Sequence, residues 1–220
     1  MKIAIMQPYF LPYLGYFQLI NAVDKFIIFD NDYFKKGGWI NRNRLRNNVD
    51  FVIPLKKSSQ NKLIMDTEIN WDDKLIDKFF KSVKHLYASS PNYQTVDFLL
   101  KNLFSHKPKT ISELSIASII EFSKYLNLDT QFKVASEENY EKGKDKIESL
   151  IKICKAENAL VYINAIGGKS LYSNSDFKPD GIKLFFINTL MNQSILDYCF
   201  TMNKKVIGRE INNFKLIESD

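Results

Sequence analysis

The chain has few of the residues that build metal sites and disulfide frameworks. Only two cysteines and two histidines occur among its 220 residues. Cys154 and Cys199 lie far apart in apolar stretches, and no C-x-x-C pair is present. This spacing argues against a zinc site and predicts buried thiols. We therefore expect no metal and a cytoplasmic protein, because thiols stay reduced in that compartment.

Long hydrophobic runs are also missing. No apolar run approaches the roughly 18–20 residues that a membrane span requires, so no span is expected. Pro8 and Pro12 interrupt the apolar start of the chain, and no small-residue cleavage site follows, which argues against a signal peptide. An aromatic content of 14% and a hydrophobic content of 45% predict a folded core rather than disorder.

Arginine is scarce although the chain is basic, with a net charge of +6. The 31 basic residues are mostly scattered lysines, which are typical of solvated faces, so no nucleic-acid partner is expected. Arg42, Arg44 and Arg46 nevertheless fall close together. This cluster is informative because arginine forms bidentate pairs with phosphate and carboxylate groups.

Apolar runs alternate with amphipathic segments, which predicts an α/β fold with a mostly parallel sheet and flanking helices. The predicted strands are residues 2–6, 25–30, 50–55, 62–70, 132–135, 159–164 and 182–187. The predicted helices are residues 15–23, 71–87, 93–104, 111–126, 145–157 and 194–200. Residues 31–48 are polar and glycine-containing and predict a loop. We expect one domain over residues 1–220, with a helical insertion at about residues 71–130.

The first strand, loop and helix form one candidate ligand site. Ligands of doubly wound sheets bind beyond the carboxyl ends of the strands, and a helix N-terminus there presents free N–H groups to an anion. The alternative is that the tyrosines of this loop are core or interface residues. The candidate substrate-binding residues are Gln7, Pro8, Tyr9 and Gly15, and the candidate catalytic residues are Tyr13 and Tyr16.

The same segment resembles the start of the nucleotidylyltransferase and pantothenate-synthetase superfamily. The sequence Tyr13-Leu14-Gly15-Tyr16 stands in the frame of its His-x-Gly-His motif at the first helix. The resemblance implies a HUP-like start to the fold and adenylyl transfer from ATP as an alternative function. Both histidines are tyrosine here, and a neutral phenol brings no positive charge to a phosphate.

The arginine segment is the second candidate site. It follows two glycines, and on an extended strand Arg42, Arg44 and Arg46 would point the same way. We interpret it as a site for an anion such as the diphosphate of a sugar nucleotide; a solvated basic face and an RNA-binding segment are the alternatives. The candidate binding residues are Trp39, Asn41, Arg42, Asn43 and Arg44.

A glycine pair after a predicted strand is the third candidate site. Gly167 and Gly168 precede Lys169, as at the end of a phosphate loop, but Ile163 stands where that motif needs its first glycine. A backbone anion nest closed by Tyr172 and a plain glycine-rich turn remain the two interpretations.

Two carboxylates follow the second apolar strand. Asp30 and Asp32 are the candidate catalytic bases, able to accept a proton from an amine or to orient it. A capping or loop role for Asp32 is the alternative.

The chain as a whole resembles the WbqC-like family over close to its full length. The most specific matches lie at the N-terminus: Met6-Gln7-Pro8-Tyr9-Phe10-Leu11-Pro12-Tyr13-Leu14-Gly15-Tyr16 and Trp39-Ile40-Asn41-Arg42-Asn43-Arg44. Weaker matches include Gly167-Gly168, Tyr172 and Ser194-Ile195-Leu196-Asp197. One departure is the short stretch of residues 188–193, where the family usually carries a longer segment.

The family resemblance implies a role in bacterial surface-polysaccharide synthesis, such as that of lipopolysaccharide O-antigen. It favours an enzyme that transfers an acyl or aminoacyl group to the amino group of a nucleotide-linked amino sugar. The expected partner is thus a nucleotide sugar, and acyl-CoA, an acyl carrier or an ATP-activated acid would be the donor. A non-catalytic scaffold of a glycan-assembly pathway and a homo-oligomer are left open.

Overall fold

The computed structural model describes residues 1–57, 59–189 and 193–219. Within these ranges, the strands are β1 (Lys2–Met6), β2 (Lys25–Ile28), β3 (Arg42–Leu45), β4 (Val49–Val52), β5 (Gln131–Val134), β6 (Val161–Ala165), β7 (Lys183–Asn188) and β8 (Lys215–Glu218). The α-helices are α1 (Leu14–Asn21), α2 (Asp73–Tyr87), α3 (Tyr93–Ser105), α4 (Ile111–Tyr125), α5 (Lys146–Ala156), α6 (Asn174–Phe177), α7 (Ile195–Thr201) and α8 (Lys204–Asn212).

The central sheet has six strands in the order β5-β2-β1-β6-β7-β8. The first five are parallel to their neighbours, and β8 pairs antiparallel with β7. The predicted α/β class with a mostly parallel sheet is therefore confirmed. After β5 the chain crosses back to place β6 beside β1, which is the order of a doubly wound sheet with its switch point between these two strands.

Both faces of the sheet carry hydrophobic side chains, and each face packs against a separate apolar cluster. Ile3 and Ile5 of β1 face one apolar cluster, which also contains residues of α5 and α6. Ala4, between them, faces the other cluster with α1. Successive side chains of a strand point to opposite faces, so the continuous apolar runs of the sequence produce a sheet covered on both sides.

Three helices, α2, α3 and α4, lie between β4 and β5 in the chain. The helix α4 begins with a capping box, in which Glu113 N donates to Thr110 Oγ1 over 3.2 Å and the Glu113 side chain accepts from Thr110 N. Phe104 of α3 packs edge-on against Phe10 at a ring distance of 5.7 Å. The helices therefore share the apolar cluster that contains α1.

Two predicted segments differ in the structure. Residues 31–48 are not a loop throughout, because Arg42–Leu45 forms β3 and pairs antiparallel with β4 in a separate two-stranded sheet. Asn47 and Asn48 adopt left-handed conformations and turn the chain between the two strands. The strand predicted at residues 62–70 is wrong: this segment forms only isolated bridges, such as Leu55 to Ile69. The segment packs through its alternating side chains but forms no continuous ladder of backbone hydrogen bonds with another described strand.

The chain continues past the last predicted helix with α8 and β8. Gln18 of α1 fixes α8 and the turn after it to α1, since its Nε2 donates to the carbonyl oxygens of Glu210 at 2.7 Å and Asn213 at 3.0 Å.

Both cysteines are buried and free, as expected. None of the helices in the described ranges is long and apolar enough to span a bilayer. Of the short stretch 188–193, residues 190–192 lie outside the described residues.

Candidate functional site

A cavity of about 840 Å³ opens at the carboxyl edge of the sheet, between β1 and β6. These strands pair through Lys2–Val161 and Ile3–Tyr162, at their amino ends. Met6 and Asn164 line the space between them. The cavity therefore lies at the switch point of the sheet, where doubly wound folds bind ligands, and its volume suits a ligand of nucleotide size.

The N-terminus of α1 forms one side of the cavity through Tyr13 and Gly15. The first turn of α1 contains no acidic residue, and no described side chain caps it. Positive charge of the helix dipole is thus left at this end. A Cβ at Gly15 would lie 2.4 Å from Thr189 Oγ1 and 2.6 Å from the Tyr13 ring, so a side chain there would clash.

Aromatic side chains form much of the cavity wall. Tyr9, Tyr13, Trp39 and Tyr172 line it, and Trp39 is 55% exposed at its mouth. Burial, with the nearby Tyr13 and Asp32, raises the pKa of Tyr9 to about 12. Burial also raises the pKa of Tyr13 and of Tyr172. These phenols are therefore protonated at neutral pH and available as hydrogen-bond donors.

The charged groups of the cavity are mainly cationic. Lys35, Arg44 and Lys146 line it, and Asp32 is the carboxylate among its described lining residues. Asp32 Oδ2 accepts from Gln7 Nε2 and from Lys146 Nζ, both at 2.8 Å. Its other oxygen accepts from the Tyr33 backbone N–H at 2.8 Å. Asp32 thus joins the ends of β1 and β2 to the start of α5.

The three clustered arginines do not act together. Arg44 reaches the cavity and pairs with Asp50, Nε to Oδ1, at 2.7 Å. Arg46 lies beyond the end of β3 and pairs with Asp197 at 3.1 Å. Arg42 lies outside the cavity lining, and its buried Nε has no partner among the described residues. Arg42 and Arg44 thus lie on one strand, whereas β3 ends at Leu45 and the chain turns at Arg46.

Two candidate catalytic residues lie in the protein interior. Asp30 is 2% exposed and accepts hydrogen bonds from Ser136 N at 3.0 Å and Ser136 Oγ at 2.7 Å. It joins the end of β2 to the segment after β5 and does not line the cavity. Tyr16 is 1% exposed and donates to the Gln7 carbonyl at 2.8 Å. Both geometries are those of structural groups.

The glycine pair lies on the opposite side of the cavity from α1. Ile166–Gly168 forms a 3₁₀ turn directly after β6. A Cβ at Gly168 would lie 2.7 Å from Asn164 Nδ2, whereas Gly167 has open space around it. The backbone of this turn is therefore accessible to a ligand in the cavity, and Tyr172 packs beside it.

The structure brings most of the predicted site residues together. Those that line the cavity are Gln7, Tyr9, Tyr13, Gly15, Asp32, Trp39, Asn43, Arg44, Gly167, Gly168 and Tyr172. Those outside its lining are Pro8, Tyr16, Asp30, Asn41, Arg42 and Lys169. Asn41 instead donates from Nδ2 to the Ile53 carbonyl at 2.8 Å. Polar lining residues that the sequence did not indicate are Lys35, Lys146 and Thr189, and Asn164 also lines the cavity from the start of the glycine-containing segment.

Comparison with known proteins gives one family match. The model of the WbqC-like protein family matches residues 7–203, which include all the polar side chains that line the cavity. An uncharacterized protein of Mycobacterium tuberculosis is 26% identical over 188 residues, which cover 83% of this chain and 80% of that protein. No solved structure gives a significant match to the chain.

Proposed function

The chain belongs to the WbqC-like protein family, and we propose that it binds a nucleotide-linked amino sugar and forms an amide on the sugar's amino group. The reaction would serve the synthesis of a bacterial surface polysaccharide. One observation carries the proposal: a cavity of about 840 Å³ at the switch point combines cationic side chains, aromatic walls and a single described carboxylate. This combination suits a ligand with phosphates, flat rings and a basic amine.

The phosphates are assigned to the α1 side of the cavity. The uncapped N-terminus at Gly15 attracts an anion, and Arg44 is positioned on the same cavity to pair with it. Arg44 is bound to Asp50 in a surface ion pair, which is weak enough for a phosphate to displace. The backbone of the Gly167–Gly168 turn adds donors on the other side.

The amide-forming step is assigned to Asp32. The sugar amine attacks the acyl carbon of the donor, a C–N bond forms, and the bond to the donor's leaving group breaks. Asp32 takes the proton that the amine nitrogen loses, which is the role of a general base. Tyr9 and Tyr13, which line the cavity and are protonated at neutral pH, would donate hydrogen bonds to the acyl oxygen as it gains charge.

Binding and product formation test this function separately. Trp39 lies at the cavity mouth, so its fluorescence should change when an amino-sugar nucleotide binds. Replacing Arg44→Ala should weaken binding about 10-fold, as expected for loss of a charged phosphate contact. Arg209→Ala, on the exposed face of α8, is the matched control and should leave binding unchanged.

Product formation is measured by mass spectrometry after incubation with amino-sugar nucleotides and acyl donors. A mass increase of the sugar nucleotide by the acyl group, lost in Asp32→Asn, is the expected result. Absence of binding and of product across a broad panel of nucleotides would refute the proposal.

Adenylyl transfer from ATP is the second candidate function. The doubly wound strand order favours it, because this order is common to nucleotide-binding sheets. The burial of Tyr16 disfavours it, since only Tyr13 of the two tyrosines in the motif frame reaches the cavity. Release of pyrophosphate from ATP in the presence of an acid substrate would support this alternative over acyl transfer.

A further inference from the structure

Lys146 bridges the cavity from α5 to Asp32. It is the first residue of α5, and its Nζ lies 2.8 Å from Asp32 Oδ2. The Lys146 side chain is 53% exposed, whereas that of Asp32 is 17% exposed. The lysine therefore reaches inward from the rim to a carboxylate that the cavity shelters.

Lys146 and Gly15 stand on opposite sides of the same opening. Both α1 and α5 begin at the carboxyl edge of the sheet, but they cover different faces, as their separate apolar clusters show. Gly15 and Lys146 both line the cavity. A ligand held at the α1 end can therefore extend its negative charge across the switch point towards Lys146.

The geometry of the Lys146–Asp32 ion pair allows the Lys146 ammonium group to change its partner. Asp32 Oδ2 receives two donors, Gln7 Nε2 and Lys146 Nζ, so it keeps the Gln7 hydrogen bond when the lysine leaves. A lysine ammonium carries three donors on a flexible stem, and it can turn to a nearby phosphate. A half-exposed ion pair holds it only weakly, whereas a phosphate offers more negative charge.

We propose that Lys146 binds a phosphate of the ligand and gives up its ion pair with Asp32 when it does so. This inference rests on the proposed function, because it assumes a phosphate-bearing ligand in the cavity. Ligand binding then frees the Asp32 carboxylate for the proton of the amine. The Asp32 carboxylate can therefore act as a base only when the nucleotide sugar is bound. Substrate binding is in this way coupled to amide formation.

The test measures binding of inorganic pyrophosphate and of UDP by isothermal titration calorimetry. Lys146→Met should weaken binding about 10-fold, because a phosphate contact is lost. Asp32→Asn should strengthen binding about 3-fold, because it releases Lys146 and removes a competing negative charge. A residue pair with a purely structural role would give weaker binding, or no change, in both variants.

Two further variants separate charge from structure. Lys146→Arg keeps the charge and should keep binding within about 2-fold of the unmodified chain. Lys35→Met removes a cation that lines the same cavity. In the double variant Lys35→Met/Asp32→Asn, the second substitution should still raise the affinity for UDP. In the double variant Lys146→Met/Asp32→Asn, the increase in affinity caused by Asp32→Asn should be smaller. Circular dichroism establishes that each variant is folded.

The outcomes distinguish the two proposals. If the unmodified chain binds UDP but Asp32→Asn weakens binding, or Lys146→Met leaves it unchanged, the exchange is refuted and the proposed function stands. Equal loss of binding in Lys146→Arg and Lys146→Met refutes it as well. If neither pyrophosphate nor UDP nor any other nucleotide of the broad panel binds to the unmodified chain, both proposals fall together.

Discussion

Lowering the pH should remove a stabilising contribution from Glu157, which directly follows α5. Its side chain is 5% exposed and accepts from Lys25, from Lys133 Nζ at 2.9 Å and from Tyr140 Oη at 2.6 Å. Burial raises the pKa of this carboxyl, but the hydrogen bonds from Lys25, Tyr140 and Lys133 outweigh it and lower the pKa to about 2. The folded protein therefore favours the ionised form.

The size of the effect follows from the difference between the folded and unfolded pKa. The ordinary pKa is 4.5, and each unit of difference corresponds to about 1.4 kcal/mol, so the carboxylate contributes at most about 3 kcal/mol. Solvent reaches Lys133, which is 27% exposed, and screening reduces the expected contribution to about 2 kcal/mol. Because the folded pKa is lowered, this stability is complete above 4.5 and is lost as the pH falls towards 2.

Urea unfolding at about pH 7, 5 and 3 measures the contribution. Glu157→Gln should lower the free energy of unfolding by about 2 kcal/mol at neutral pH, and the difference from the unmodified chain should narrow on acidification. Glu141→Gln is the control, because the Glu141 side chain is 80% exposed and surface pairs contribute little. A difference between Glu157→Gln and the unmodified chain that stays constant down to about pH 3 would refute the reasoning.

Two further predictions concern buried hydrogen bonds outside the cavity. Asp30→Asn should cost about 1–3 kcal/mol in urea unfolding, because Ser136 N and Ser136 Oγ donate to separate oxygens of Asp30 and an amide keeps only one of them as an acceptor, yet UDP affinity should not change. A large loss of affinity without loss of stability would instead place Asp30 in the binding machinery. Tyr87→Phe should cost about 1 kcal/mol, since the Arg46 backbone N–H, which donates to the Tyr87 hydroxyl at 2.9 Å, loses its acceptor. An unchanged urea midpoint would contradict this contribution.

The fold class could be predicted from local sequence patterns. Because the sheet is buried on both faces, its strands appear in the sequence as continuous apolar runs. The runs that became β1 and β2 are continuously apolar, and α1 between them repeats apolar residues at helical spacing. The segment over residues 62–70 has partial alternation of the same kind, yet no neighbouring strand offers it a ladder. Alternation alone does not distinguish a strand from an extended segment that packs irregularly.

The candidate site was predictable only where each of its residues belongs to a local sequence motif. The loop from Gln7 to Gly15 was found because a strand, a turn and a helix N-terminus follow each other directly. The sequence did not show whether one strand carries all three arginines, because the end of β3 at Leu45 depends on pairing with β4. Lys146 lies 114 residues from Asp32, its partner, and no local pattern in a lysine-rich chain marks such a pair.

The pairing of β1 with β6 has a mechanical consequence. The two halves of the sheet are joined along this seam by two paired positions, Lys2–Val161 and Ile3–Tyr162, both at the amino ends of the strands. A ligand in the cavity at the carboxyl ends of β1 and β6 would contact both halves and add a link between them. It would stabilise the folded chain by an amount that grows with the logarithm of the ligand concentration above Kd, and it would slow amide exchange along both strands.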